Sequence, residues 1–105
     1  MEIQSISYQD KELLVFCNIK SSDDLRILAM IFSGFVSGYF CYEVGPNEIL
    51  GILDELTEDF ELDENILHKL MISILRDEEG IGIRCKRIAK YEVIEERILK
   101  LLESY

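Results

Sequence analysis

Apolar and polar positions change period several times along the chain, and each change marks a predicted element. Ile3, Ile6 and Tyr8 alternate imperfectly with polar residues. Residues 12–19 read Glu-Leu-Leu-Val-Phe-Cys-Asn-Ile, and Gln9-Asp10-Lys11 between the two runs is a short polar turn. An N-terminal hairpin of strands 2–8 and 12–19 is expected. Ser21-Ser22-Asp23-Asp24 then offers helix-start chemistry: hydroxyls for free backbone amides and carboxylates for the positive end of the dipole. Leu25, Leu28, Ala29 and Phe32 follow at helical spacing and Gly34 can close the turn, so a helix is expected over 23–33. A buried strand is the rival there, because Leu25 to Phe32 is almost continuously apolar.

Residues 38–44, Gly-Tyr-Phe-Cys-Tyr-Glu-Val, are aromatic and read as a strand. Gly45-Pro46 punctuates, and Ile49, Ile52, Leu53, Leu56 and Phe60 then share one face of a helix over 47–60. Ile66, Leu67, Leu70, Met71 and Ile74 form a doubled stripe between Asp63 and Gly80, which suit the two ends of a helix over 64–79. A hairpin competes with it, with Leu70 to Leu75 and Ile81 to Ile88 as strands around Asp77-Glu78-Glu79-Gly80. The apparent caps and the Leu, His, Lys and Met content favour the helix. Ile81, Ile83 and Cys85 alternate with Gly82, Arg84 and Lys86, which predicts a strand over 81–88. Tyr91, Ile94, Ile98, Leu101 and Tyr105 mark a last amphipathic helix over 90–104, with Glu96 and Lys100 as an i,i+4 pair. The order glycine, strand, helix at Gly38–Phe60 and again at Gly80–Tyr105 hints at a duplicated unit.

The fold class expected is α+β. A small, mainly antiparallel sheet would hold the N-terminal hairpin and the strands near 38–44 and 81–88. Three or four helices, near 23–33, 47–60, 64–79 and 90–104, would cover one face. A length of 105 residues with 49% hydrophobic content suits one domain, 1–105, with a single core. No apolar run reaches the roughly 20 residues that span a bilayer, and the N-terminus lacks the basic-then-apolar pattern of a signal peptide. A cytoplasmic location is therefore expected. Three cysteines, at 17, 41 and 85, read as free thiols in a reducing compartment.

Charge narrows the function. With 21 acids against 11 bases the net charge is −10, which opposes direct contact with nucleic acid or an anionic membrane. The distribution is lopsided. From Ile27 to His68 there is no Lys or Arg, while seven acids fall between 54 and 64. On the 47–60 helix, Glu48, Glu55, Glu58 and Asp59 lie off the apolar stripe and should project into solvent, continuing into Glu61, Asp63 and Glu64. Neighbouring carboxylates repel, and a positively charged partner relieves that repulsion. These seven residues are the candidate partner-binding surface.

Other chemistry finds less support. Asp59, Glu61 and Asp63 resemble the start of a calcium loop, but its sixth position is Glu64 and its twelfth Leu70, so the EF-hand pattern fails. One His and three scattered Cys supply no metal-ligand spacing, so no metal and no cofactor is expected. Cys85 alternates away from Arg84 and Lys86 and reads as a core thiol, while those bases with Arg87 and Lys90 make a small positive island. His68 lacks a nucleophile context and reads as a boundary histidine. Gly34-Phe-Val-Ser-Gly38 is not a phosphate loop. An enzyme is not expected. The expected function is a small acidic protein-binding module, an inhibitor or immunity-type protein that docks on a basic surface of a nucleic-acid-handling protein. Two alternatives stand beside it. One is a structural or homo-oligomeric subunit. The other is a small-ligand or divalent-ion binding domain around Tyr39–Tyr42 and the acidic run.

Overall fold

The computed structural model describes residues 1–92. Strands β1 (Glu2–Gln9) and β2 (Glu12–Ile19) form the expected hairpin, turning through Asp10 in the left-handed region at φ 55°. Two helices follow, α1 (Ser22–Phe40) and α2 (Pro46–Thr57), the second extended by a 3-10 turn at Glu58–Phe60. A second hairpin, β3 (Ile66–Arg76) and β4 (Ile81–Glu92), completes one antiparallel sheet of order β1-β2-β3-β4. The fold is α+β, with two α-helices among the described residues rather than three or four.

The core lies between the helices and one sheet face. In register across the central seam, Leu13 faces Ile74, Val15 faces Ile72, and Cys17 faces Leu70. All six are fully buried, and they pack with Leu25, Leu28, Ala29, Phe32, Val36 and Phe40 of α1 and Ile49 and Leu53 of α2. Each fully buried aliphatic side chain contributes roughly 1.5–3 kcal/mol.

Several expectations are corrected. The helix predicted over 23–33 runs on to Phe40, and the strand predicted over 38–44 does not form; residues 41–45 are irregular. Gly34 adopts no positive φ, so it cannot act as the left-handed cap; Cys41 takes that role at φ 51°. The helix continues because Phe32, Val36 and Phe40 keep the i, i+4, i+8 spacing on its buried side. Gly34 and Gly38 lie on its exposed side, where each costs only about 0.5–1 kcal/mol. The proposed repeat loses its first unit, since Gly38 is helical.

The helix predicted over 64–79 is a strand, and the competing hairpin is the structure that forms. His68, Leu70, Ile72 and Ile74 are buried on the helix side of β3 while Lys69, Met71 and Leu75 are half-buried on the other. A central strand covered on one face and flanked on both sides tolerates apolar residues at every position, which imitates a helical stripe. The apparent caps serve turns. The Asp63 carboxylate accepts the Asn65 amide at 2.8 Å, and the Asp77 carboxylate accepts those of Glu79 and Gly80 at 2.8 and 2.9 Å. Gly80 sits at φ 145°, which a side chain would strain. Strand β4 takes in residues 90–92 of the helix predicted over 90–104; the remainder of that helix lies outside the described residues.

Candidate functional site

Helix α2 presents a divided surface. Ile49 and Leu53 are buried and Thr57 closes the helix by donating its hydroxyl to the Leu53 carbonyl at 2.7 Å. Glu48, Asp54 and Glu55 fall on the opposite, exposed half, with Glu58 and Asp59 in the 3-10 turn that prolongs it. Glu61 then takes a left-handed conformation at φ 51° and turns the chain toward β3 through Asp63 and Glu64. All seven candidate residues, Glu48, Glu55, Glu58, Asp59, Glu61, Asp63 and Glu64, are exposed. The structure thus places Glu48, Glu55, Glu58 and Asp59 along one outward surface, and Glu61, Asp63 and Glu64 on the connection beyond it.

The electrostatics of this surface are uncompensated within the described residues. The two ion pairs found there, Met1 amino group to Asp24 and Arg26 to Asp23, use none of the seven. The last turn of α2 has no basic residue, so Asp54 and Glu55 stand at the negative end of the helix dipole. Each such placement opposes the helix by about 0.3–1 kcal/mol. Of the positive island, Arg87 has its guanidinium over the Phe60 ring, 5.3 Å from the centroid. A bulge at Lys69/Leu70 puts Arg87 opposite Leu70, on the helix side, while Arg84 lies opposite Ser73 and Lys86 opposite Met71 on the far face.

His68 departs from its sequence reading. It is fully buried at the end of the core, and neither Nδ1 nor Nε2 has a hydrogen-bond partner. Burial, then the nearby Arg87 and Lys90 cations, hold its pKa below the ordinary value. No periodicity argument finds such a residue, because it requires knowing that 66–76 is a central strand. The Cys17 and Cys85 thiols are not activated. Burial, with smaller contributions from Cys85 and Asp24, pushes Cys17 up to about 12, and burial pushes Cys85 up to about 11. Cys41 is exposed. Among the described residues no three metal-ligating side chains converge.

Tyr39 and Phe40 both pack against the Tyr8 ring and line one surface cavity with Arg76 and Asp77. Tyr39 stacks on Tyr8 at 5.1 Å, Phe40 is buried, and Tyr42 lies beneath the Arg76 guanidinium at 4.7 Å. No described helix is long and apolar enough to cross a membrane. No family model, curated protein or solved structure matches the chain.

Proposed function

We propose that the protein is an acidic binding module that docks on a basic surface of another protein. An inhibitor or immunity-type role toward a nucleic-acid-handling protein fits that chemistry, because such proteins carry the Lys and Arg that hold phosphates. The supporting observation is the run of exposed carboxylates at the C-terminal end of α2 and beyond, none of them in an ion pair with another described residue. A partner cation there meets both the carboxylates and the negative end of the helix dipole. Opposite charge also steers the encounter, so association is fast and slows as salt rises.

Co-purification from the native host, followed by elution with salt, should yield a protein with a strongly positive surface. The combined change Glu55→Lys, Glu58→Lys, Asp59→Lys and Glu61→Lys is expected to slow association with that protein at least about tenfold, with a smaller effect on dissociation. An unchanged association rate and affinity, with the circular dichroism spectrum intact, would place the contact elsewhere.

A further inference from the structure

The last turn of α1 and the two hairpin turns bound a cavity of about 360 Å³ at one end of the sheet. The turns lie side by side there: Glu12 pairs with Leu75, and the Arg76 amide donates to the Lys11 carbonyl at 2.9 Å. One wall is aromatic. Tyr8 of β1 stacks on Tyr39 of α1 with centroids 5.1 Å apart and planes within 25° of each other, and Phe40 meets Tyr8 at 5.7 Å. Tyr8 and Tyr39 are exposed, so the ring pair is open to solvent. Lys11 and Arg76 bring cations to the same cavity, and the Arg76 guanidinium is held 4.7 Å over the Tyr42 ring. Neither cation is in an ion pair with another described residue. Asp77, Glu78 and the end of α1 oppose them in charge. Asp77 commits Oδ1 to the amides of Glu79 and Gly80, while its Oδ2 makes no hydrogen bond with another described residue. The end of α1 is the negative pole of that helix, and its last turn carries no basic residue.

We propose that this cavity binds a small zwitterion with an aromatic ring, the chemistry of a free aromatic amino acid. Its volume falls within the roughly 300–1,000 Å³ of small-ligand sites. Charge decides the class of ligand. Lys11 and Arg76 balance Asp77 and Glu78, so the lining has no formal net charge. A purely anionic ligand would meet the repulsion of a chain at −10 and the negative pole of α1. A purely cationic ligand would meet Lys11 and Arg76. A zwitterion suits both halves of the lining. Its carboxylate pairs with the Arg76 guanidinium and the Lys11 ammonium through charge-assisted hydrogen bonds. Its ammonium faces Asp77 and the last carbonyls of α1. Its ring packs on the exposed Tyr8–Tyr39 pair, where offset or edge-on contact between rings is favourable. The cavity uses no residue of α2, so this binding and docking through the acidic surface are separate properties.

Titration of the full, isotope-labelled chain with L-phenylalanine and with L-tryptophan, followed through the amide chemical shifts, tests it. Saturable shifts are expected at residues 8–11, 39–41 and 76–80, with a Kd on the order of 1 mM or below for a small ligand in an open site. Phenylpropionate lacks the ammonium and phenethylamine lacks the carboxylate, and each should bind about tenfold more weakly than L-phenylalanine. Lys11→Gln and, separately, Arg76→Gln should each weaken L-phenylalanine binding by about fivefold or more, with the circular dichroism spectrum unchanged. Lys11 is exposed in a turn, so its variant decides if Arg76→Gln unfolds. Glu55→Lys with Glu58→Lys should bind the amino acid as the native chain does, which separates this site from the acidic surface. Absence of a saturable shift at ligand concentrations up to about 10 mM overturns the proposal. So do shifts centred elsewhere, or binding that survives both cation substitutions. Equal binding of phenylpropionate overturns it and assigns the cavity to aromatic carboxylates; equal binding of phenethylamine overturns it and assigns the cavity to aromatic amines.

Discussion

The Phe60 ring lies over the His68 imidazole, with centroids 6.4 Å apart and planes within 18° of each other. The stack joins the acidic 3-10 turn to the central strand, and it closes a site in which the imidazole has no hydrogen-bond partner. Protonation there would bury a cation beside Arg87 and Lys90. The folded state therefore binds the His68 proton less readily than the unfolded chain. Stability from this residue is present above the ordinary histidine value of 6.5 and is lost as pH falls through it toward the lower folded-state value. Within that interval the slope approaches about 1.4 kcal/mol per pH unit for one proton. Thermal melts in the native chain and in His68→Phe should show this component in the first and not in the second. Equal pH dependence in both would remove the role assigned to His68.

Glycine positions give a paired prediction of opposite sign. Gly51 lies on the exposed side of α2 with open space about it. Gly51→Ala should stabilise by about 0.5–1 kcal/mol, because the unfolded chain loses more freedom than the helix. Gly80 sits at φ 145° in the β3–β4 turn, with the Tyr42 hydroxyl 3.4 Å from a built Cβ. Gly80→Ala should destabilise by about 1–3 kcal/mol. Urea unfolding midpoints check both. Stabilisation at Gly80 would mean that the turn differs from the one described.

Glycines also show how far local signals carry. Gly80 is legible as a turn residue, but the same residue suits a helix end, and Asp63 is ambiguous in the same way. Only long-range pairing with β2 and β4 decides between them. Gly34 illustrates the converse: its local stop signal is overridden because Val36 and Phe40 extend the buried row of α1 beyond it. The N-terminal hairpin and α2 are readable because their local signals and their packing agree. The acidic surface is readable because exposed charge needs only the phase of one helix. The burial of His68 is not, because it depends on the pairing of β3 with both β2 and β4.

Charge reversal at Glu55 and Glu58 should strengthen the isolated protein. A lysine at either position reduces repulsion and matches the negative end of α2, a gain of about 0.3–1 kcal/mol per site at low salt. The gain should shrink in concentrated salt. Thermal melts at two salt concentrations measure it. Higher stability alongside slower partner association would show a surface selected for contact at a cost to the fold. Lower stability would show that these carboxylates already have favourable partners.

Thiol labelling should proceed in three steps. Cys41 is exposed and should react first, Cys85 more slowly, and Cys17 only on unfolding. Mass spectrometry over time, with and without urea, orders them. Rapid modification of Cys17 in the native protein would contradict its place in the core.

The strand order β1-β2-β3-β4 has a consequence for how the chain finds its shape. Each hairpin closes through a short turn, so its contacts are near in sequence. The seam between β2 and β3 is different: it must bring Ile19 to His68 and Glu12 to Leu75 across both helices. Closing that long loop is the slow, entropically costly event. Until it happens, each two-stranded ribbon has an apolar side without a cover, so the helical pair serves as the tether that makes the halves find each other before a neighbouring chain does.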